Sequence, residues 1–108
     1  MKFPENEIVV LDIAGERALV GGGESSDTNA LLALGFNPEG AYFVRKIVDD
    51  EDRRNIIYKL VEMSALFSSG RDWSPAELMD LYREQGAVTT SYRVIAWHTP
   101  ENYVITTY

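Results

Sequence analysis

The sequence predicts an α+β fold: a single small domain, residues 1–108, with a mainly antiparallel sheet of about five strands and helices packed on one face. Three observations lead there. The chain has 108 residues, 45% hydrophobic and 25% charged, which supplies one core and rules out a disordered chain. Runs of β-branched and aromatic residues lie near both ends. Apolar residues at helical spacing, introduced by capping residues, fill the middle.

Taken in order, Glu7 to Ala14 reads as a strand, since Ile8, Val9, Val10, Leu11 and Ile13 suit a pleated surface. Ala14-Gly15-Glu16-Arg17 turns the chain, and Ala18-Leu19-Val20 returns as the second arm of a hairpin. Gly21-Gly22-Gly23 is expected to end the regular structure. Glu24 to Thr28 is dense in helix-capping types and introduces a short helix through Leu34, closed by Gly35. Asn37-Pro38-Glu39-Gly40 has the residues of a type I turn. Ala41 to Val48 follows as a strand with apolar groups on both faces, which argues for an interior place in the sheet.

Asp50 to Ser68 carries the strongest helical pattern, with Ile56, Leu60, Met63 and Phe67 on one face and Ile57, Val61 and Ser64 widening it. Ser74-Pro75-Ala76-Glu77 starts the next helix, which runs to Gly86 with Leu78, Leu81 and Tyr82 inward. Ser91 to His98 and Tyr103 to Tyr108 form a second hairpin around Thr99-Pro100-Glu101-Asn102. The order is therefore ββαβααββ.

Composition limits function. The longest apolar runs, such as Ile8 to Leu11, fall far short of the about 20 residues a spanning helix needs. The start, Met1 to Glu5, lacks the apolar core of a signal peptide, so a cytoplasmic location is expected. Zero cysteines remove disulfides, thiolate metal sites and cysteine nucleophiles. The net charge of −7 and the lack of a basic patch disfavour direct binding to nucleic acid or an anionic membrane.

No catalytic motif stands out. Gly21 to Gly23 matches no phosphate-loop spacing, and Glu24 and Asp27 would repel a phosphate. Four consecutive acids, Asp49 to Asp52, do not alternate as calcium ligands do, so no metal and no cofactor is expected. His98 is the single histidine, at a strand end, with no marked nucleophile; a small hydrolase-like enzyme using His98 or a carboxylate pair is the minor reading.

The favoured reading is a non-catalytic acidic module, an inhibitor, immunity or antagonist protein, that meets a basic protein surface such as that of a nucleic-acid-binding protein. Its expected partner-facing residues are Glu16, Glu24, Asp27, Asp49, Asp50, Glu51, Asp52, Trp73, Tyr103 and Tyr108. Two of these groups have a structural alternative. Asp49 to Asp52 suits the start of a helix, and Arg45, Lys46, Arg53, Arg54 and Lys59 offset its charge locally. Trp73 precedes the Ser74 cap and can staple onto Leu78. The strand at Tyr103 to Tyr108 suggests a structural or assembly subunit, or a homodimer, pairing along that strand if it lies at the sheet edge.

Overall fold

The computed structural model describes residues 3–70 and 74–108. They form an α+β fold: three helices on one side of a seven-stranded, mostly antiparallel sheet. The strands are β1 (Ile8–Asp12), β2 (Arg17–Gly22), β3 (Asn37–Glu39), β4 (Tyr42–Lys46), β5 (Leu66–Ser68), β6 (Arg93–Thr99) and β7 (Asn102–Thr107). The helices are α1 (Ser25–Ala33), α2 (Asp50–Glu62) and α3 (Pro75–Glu84). The sheet order is β3-β4-β2-β1-β5-β6-β7. β5 lies parallel to β1 and to β6, and every other neighbouring pair is antiparallel.

The sheet has seven strands where five were expected, and both additional ones have a physical reason. The helix predicted over Asp50 to Ser68 ends at Glu62. Ser64 takes the left-handed conformation, φ 59°, and two crossed bonds close the end: Ala65 N–H to Leu60 O at 3.0 Å and Ser64 N–H to Val61 O at 3.0 Å. The chain leaves as β5, whose Leu66 and Phe67 are fully buried because the strand is sandwiched between β1 and β6. Phe67 met the helical spacing by coincidence, and Ser64 belongs to no apolar stripe.

The second addition is β3. Asn37-Pro38-Glu39 pairs with β4, and the reversal sits one step later, in the two-residue loop Gly40–Ala41. Gly40 supplies a φ of 61° at the first loop position, as a type II′ hairpin requires. β4 is thereby interior, as its two apolar faces implied. The glycine run also differs from expectation. Gly21 and Gly22 belong to β2, and a Cβ at Gly21 would stand 2.5 Å from the Phe3 ring.

All three helices contribute to one core. Leu31 of α1, Ile56, Ile57 and Leu60 of α2, and Leu78, Met79 and Tyr82 of α3 pack on Ile8, Val10, Val20, Phe67 and Val94 of the sheet. The other face carries a separate small cluster. Val9, Leu66 and Ile95 are fully buried there under Phe3, Leu11, Trp97 and Tyr103. Among the described residues no helix covers this second face, and no helix is long and apolar enough to cross a membrane.

Candidate interaction edge

The two ends of the sheet differ in how they present their backbone. β3 is three residues long, its middle residue is Pro38, which has no N–H, and Glu39 adds a charge. Short length, proline and charge are what blunt a sheet edge. β7 has none of them. Its six residues, Asn102-Tyr103-Val104-Ile105-Thr106-Thr107, contain no charge and no proline. Its only neighbour in the sheet is β6.

The hydrogen-bond phase of β7 follows from one observation. Tyr92 N–H donates to Tyr108 O at 3.2 Å, and Tyr108 N–H donates to Tyr92 O at 2.9 Å. That is a hydrogen-bonded antiparallel pair, and such pairs alternate with non-bonded ones. Given the register Val94–Thr106 and Ala96–Val104, these bond to each other; Arg93–Thr107, Ile95–Ile105 and Trp97–Tyr103 do not. The N–H and C=O of Tyr103, Ile105 and Thr107 therefore point away from β6, along the open edge.

The side chains beside these groups are apolar and accessible. Val104, Ile105 and Tyr108 are among the exposed large hydrophobics, at 48%, 39% and 54%. Tyr103 sits half-buried against Trp97, ring centroids 6.4 Å apart, and Trp97 in turn meets Phe3 at 5.8 Å. The aromatic cluster thus continues from the helix-free face onto the edge strand. At the far end the Tyr108 ring stacks on Tyr92 at 5.9 Å, and Arg83 donates to Tyr108 O at 3.1 Å.

The acids expected to face a partner are in several cases engaged within the chain. Asp49 caps α2, accepting from Asp52 N–H at 2.7 Å. Asp50 pairs with Arg53 at 2.6 Å. Asp52 takes a two-pronged bond from Arg45, 2.7 and 3.0 Å, and accepts from Val48 N–H at 3.0 Å. These bonds hold the Asp52 carboxyl below the usual carboxylate range, the Arg45 guanidinium being the largest cause. Asp27 accepts from Glu24 N–H at 2.9 Å at the start of α1. Glu16 and Glu51 are exposed and, among the described residues, carry no ion pair. Trp73 lies outside the described residues.

Glu16 lies near the acidic run, its carbonyl accepting from Ile47 N–H at 2.8 Å, and Glu24 and Asp27 start α1. Tyr103 on β7, with Tyr108 one residue past it, lies towards the other end of the sheet from β4. Val104, Ile105 and Thr107 lie within the strand the sequence offered for pairing, but none was singled out as a site residue. Their signal was present as an uncharged, proline-free run, but its position at an edge requires the strand order.

The chemistry around His98 is sparse. It is exposed next to the irregularity between Trp97 and Thr99, and among the described residues its side chain makes no hydrogen bond. Among the described residues no three histidine, cysteine or carboxylate side chains converge to hold a metal. An open cleft of about 590 Å³ lies where the end of β1 faces α2 and α3, with Asp12, Arg53, Arg54, Leu78 and Tyr82 in its walls. Arg53 is occupied there, donating to Ile13 O at 3.1 Å and Gly15 O at 2.8 Å. No histidine, serine or threonine lines this cleft among the described residues; its titratable side chains include two carboxylates, Asp12 and Asp50, the latter paired with Arg53 at 2.6 Å.

β7 is thus an open sheet edge with outward backbone groups and an apolar face beside it. No family model matches the chain, and no curated protein or solved structure matches it either.

Proposed function

We propose that this chain is a non-catalytic protein-binding module that accepts an extended segment of a protein partner along β7. The observation that carries the reading is the contrast between the two edges: β3 is short and broken by Pro38, while β7 is six residues long and uncharged. Backbone bonds to Tyr103, Ile105 and Thr107 would supply affinity. Val104 and Thr106 on one face, and Ile105 beside Tyr103 on the other, would supply side-chain contact.

The test compares the intact chain with Ile105→Pro as baits. Proline at position 105 removes an outward N–H and leaves the β6–β7 ladder whole. A partner captured by the intact chain, lost with Ile105→Pro, and slowing amide exchange at Tyr103, Ile105 and Thr107 supports strand addition. A partner indifferent to the substitution that leaves those amides exchanging freely removes it.

A second reading keeps the acidic surface as the docking element, meeting a basic protein. It is supported by the net charge of −7 and by the exposure of Glu16 and Glu51 without ion pairs among the described residues. Association would then weaken steeply with salt, since exposed charges are screened beyond about 8 Å at physiological ionic strength. Affinity unchanged between low and high salt would count against it.

A further inference from the structure

Resting on the strand-addition reading, we infer that the strand added to β7 is the β7 of a second copy of this chain, antiparallel, with the two-fold axis at Ile105. Two features of the edge bear on this occupant: its backbone phase accommodates a second copy, and its lack of charge favours one over a charged foreign strand.

The first is the phase of the backbone. A two-fold axis at Ile105 sets Ile105 against the second copy's Ile105, Tyr103 against its Thr107, and Val104 against its Thr106. The outward-pointing residues of one copy, Tyr103, Ile105 and Thr107, then face the outward-pointing residues of the other. All three pairs are hydrogen-bonded pairs, each exchanging two bonds. The match is a property of this strand's own alternation and satisfies what an isologous interface requires. Moving the axis to Tyr103 would bring Glu101, in the turn, opposite Ile105. Moving it to Thr107 would leave most of β7 unpaired.

The second is charge. Two chains of net charge −7 repel, so a self-pairing surface must keep acids away from its axis. β7 contains none, and Glu101 falls outside the paired stretch. A basic foreign strand would find no carboxylate on β7 to answer it. Side chains agree. Ile95, buried on the helix-free face, is the cross-strand neighbour of Ile105. Pairing extends this into a row Ile95–Ile105 followed by the second copy's Ile105 and Ile95, which covers an Ile105 that is 39% exposed in one copy.

The absence of cysteine gives a direct test. Opposed residues of a hydrogen-bonded pair have Cα atoms about 5.5 Å apart, within disulfide reach. Under mild oxidation Ile105→Cys should give a covalent dimer. Tyr103→Cys alone and Thr107→Cys alone should not, while an equal mixture of those two should. Sedimentation of the unaltered chain should show a concentration-dependent dimer, weakened about tenfold or more by Ile105→Pro. Ile105→Cys that stays monomeric, or cross-linking by Thr107→Cys alone, overturns the register. A chain that stays monomeric at high micromolar concentration, yet loses a foreign partner on Ile105→Pro, overturns self-pairing and leaves strand addition standing. A monomeric chain whose foreign partner ignores Ile105→Pro overturns both.

Discussion

Tyr92 and Tyr108 exchange two backbone hydrogen bonds, 3.2 and 2.9 Å long, and stack their rings with centroids 5.9 Å apart. This pair fixes the phase of the β6–β7 ladder and so decides which groups of β7 face outward. It is held from the helix side as well. The Tyr92 hydroxyl donates to Asp80 on α3, and the Arg83 guanidinium lies over the Tyr92 ring at 4.8 Å. α3 therefore braces the edge strand through a tyrosine that is itself buried.

That brace has an alkaline signature. Burial, and then the bond to Asp80, push the Tyr92 hydroxyl from 10.0 up to about 12. The folded state holds this proton more tightly than the unfolded chain does. The contribution to stability is whole below pH 10 and is lost as pH rises towards about 12. Tyr92→Phe should cost about 1 kcal/mol at neutral pH through the missing hydrogen bond. Between pH 10 and 12 the unaltered chain should lose more stability than Tyr92→Phe, so the two urea curves converge. Parallel loss in both proteins would show that Tyr92 does not carry the effect.

Arg45 and Asp52 perform a similar service at the opposite end of the sheet. Arg45 Nε donates to Leu34 O at 2.7 Å, while its two terminal nitrogens grip Asp52. One side chain on β4 thus ties the end of α1 to the start of α2. Asp52→Asn should destabilise the fold by about 1–2 kcal/mol at pH 7, because it weakens a charge-assisted pair that is only partly exposed. The Asp52 carboxyl is depressed in the folded state, so its contribution is present above 3.8 and lost as pH falls below that value. The difference between the two proteins should shrink in that acid range. A constant difference down to full protonation would assign the loss to geometry and not to charge.

The start of α2 was legible in the sequence because capping and charge near a helix N-terminus are local rules, and Asp49 and Asp52 obey them. Its end was not. Ser64 is no usual left-handed residue, and Phe67 happened to continue the helical spacing. Only the neighbours β1 and β6, distant in sequence, show that Leu66-Phe67-Ser68 is a strand with Leu66 and Phe67 buried. The candidate edge was legible in the same partial way. Tyr103 to Tyr108 read as a strand able to pair at an edge, whereas its place in the sheet needed the strand order and its outward residues needed the pairing of Tyr92 with Tyr108.

Ser64 offers a clean stability test. A non-glycine residue in the left-handed region costs about 1–2 kcal/mol, against the smaller entropic disadvantage of glycine. α1 and α3 end with the same crossed bonds but place Gly35 and Gly86 at this position, φ 93° and 76°. Ser64→Gly should therefore raise stability by about 0.5–1 kcal/mol, read from the midpoint of chemical unfolding. A drop in stability would mean that the Ser64 side chain holds an interaction that outweighs its backbone strain.

Two proline substitutions on neighbouring residues test the phase on which the interaction edge depends. Val104 belongs to a hydrogen-bonded pair with Ala96, and its N–H is part of the β6–β7 ladder. Ile105 belongs to a non-bonded pair with Ile95, and its N–H points outward. Val104→Pro should destabilise the chain by about 3 kcal/mol, the scale of proline placed where a backbone bond is needed. Ile105→Pro keeps that ladder and loses side-chain burial alone, and the exposure of Ile105 limits this loss to about 1 kcal/mol. Measured in dilute protein, where a partner strand contributes nothing, the order of the two values is what matters. If Ile105→Pro is the more damaging, the outward groups belong to Val104 and Thr106, and the self-pairing register centred on Ile105 fails with it.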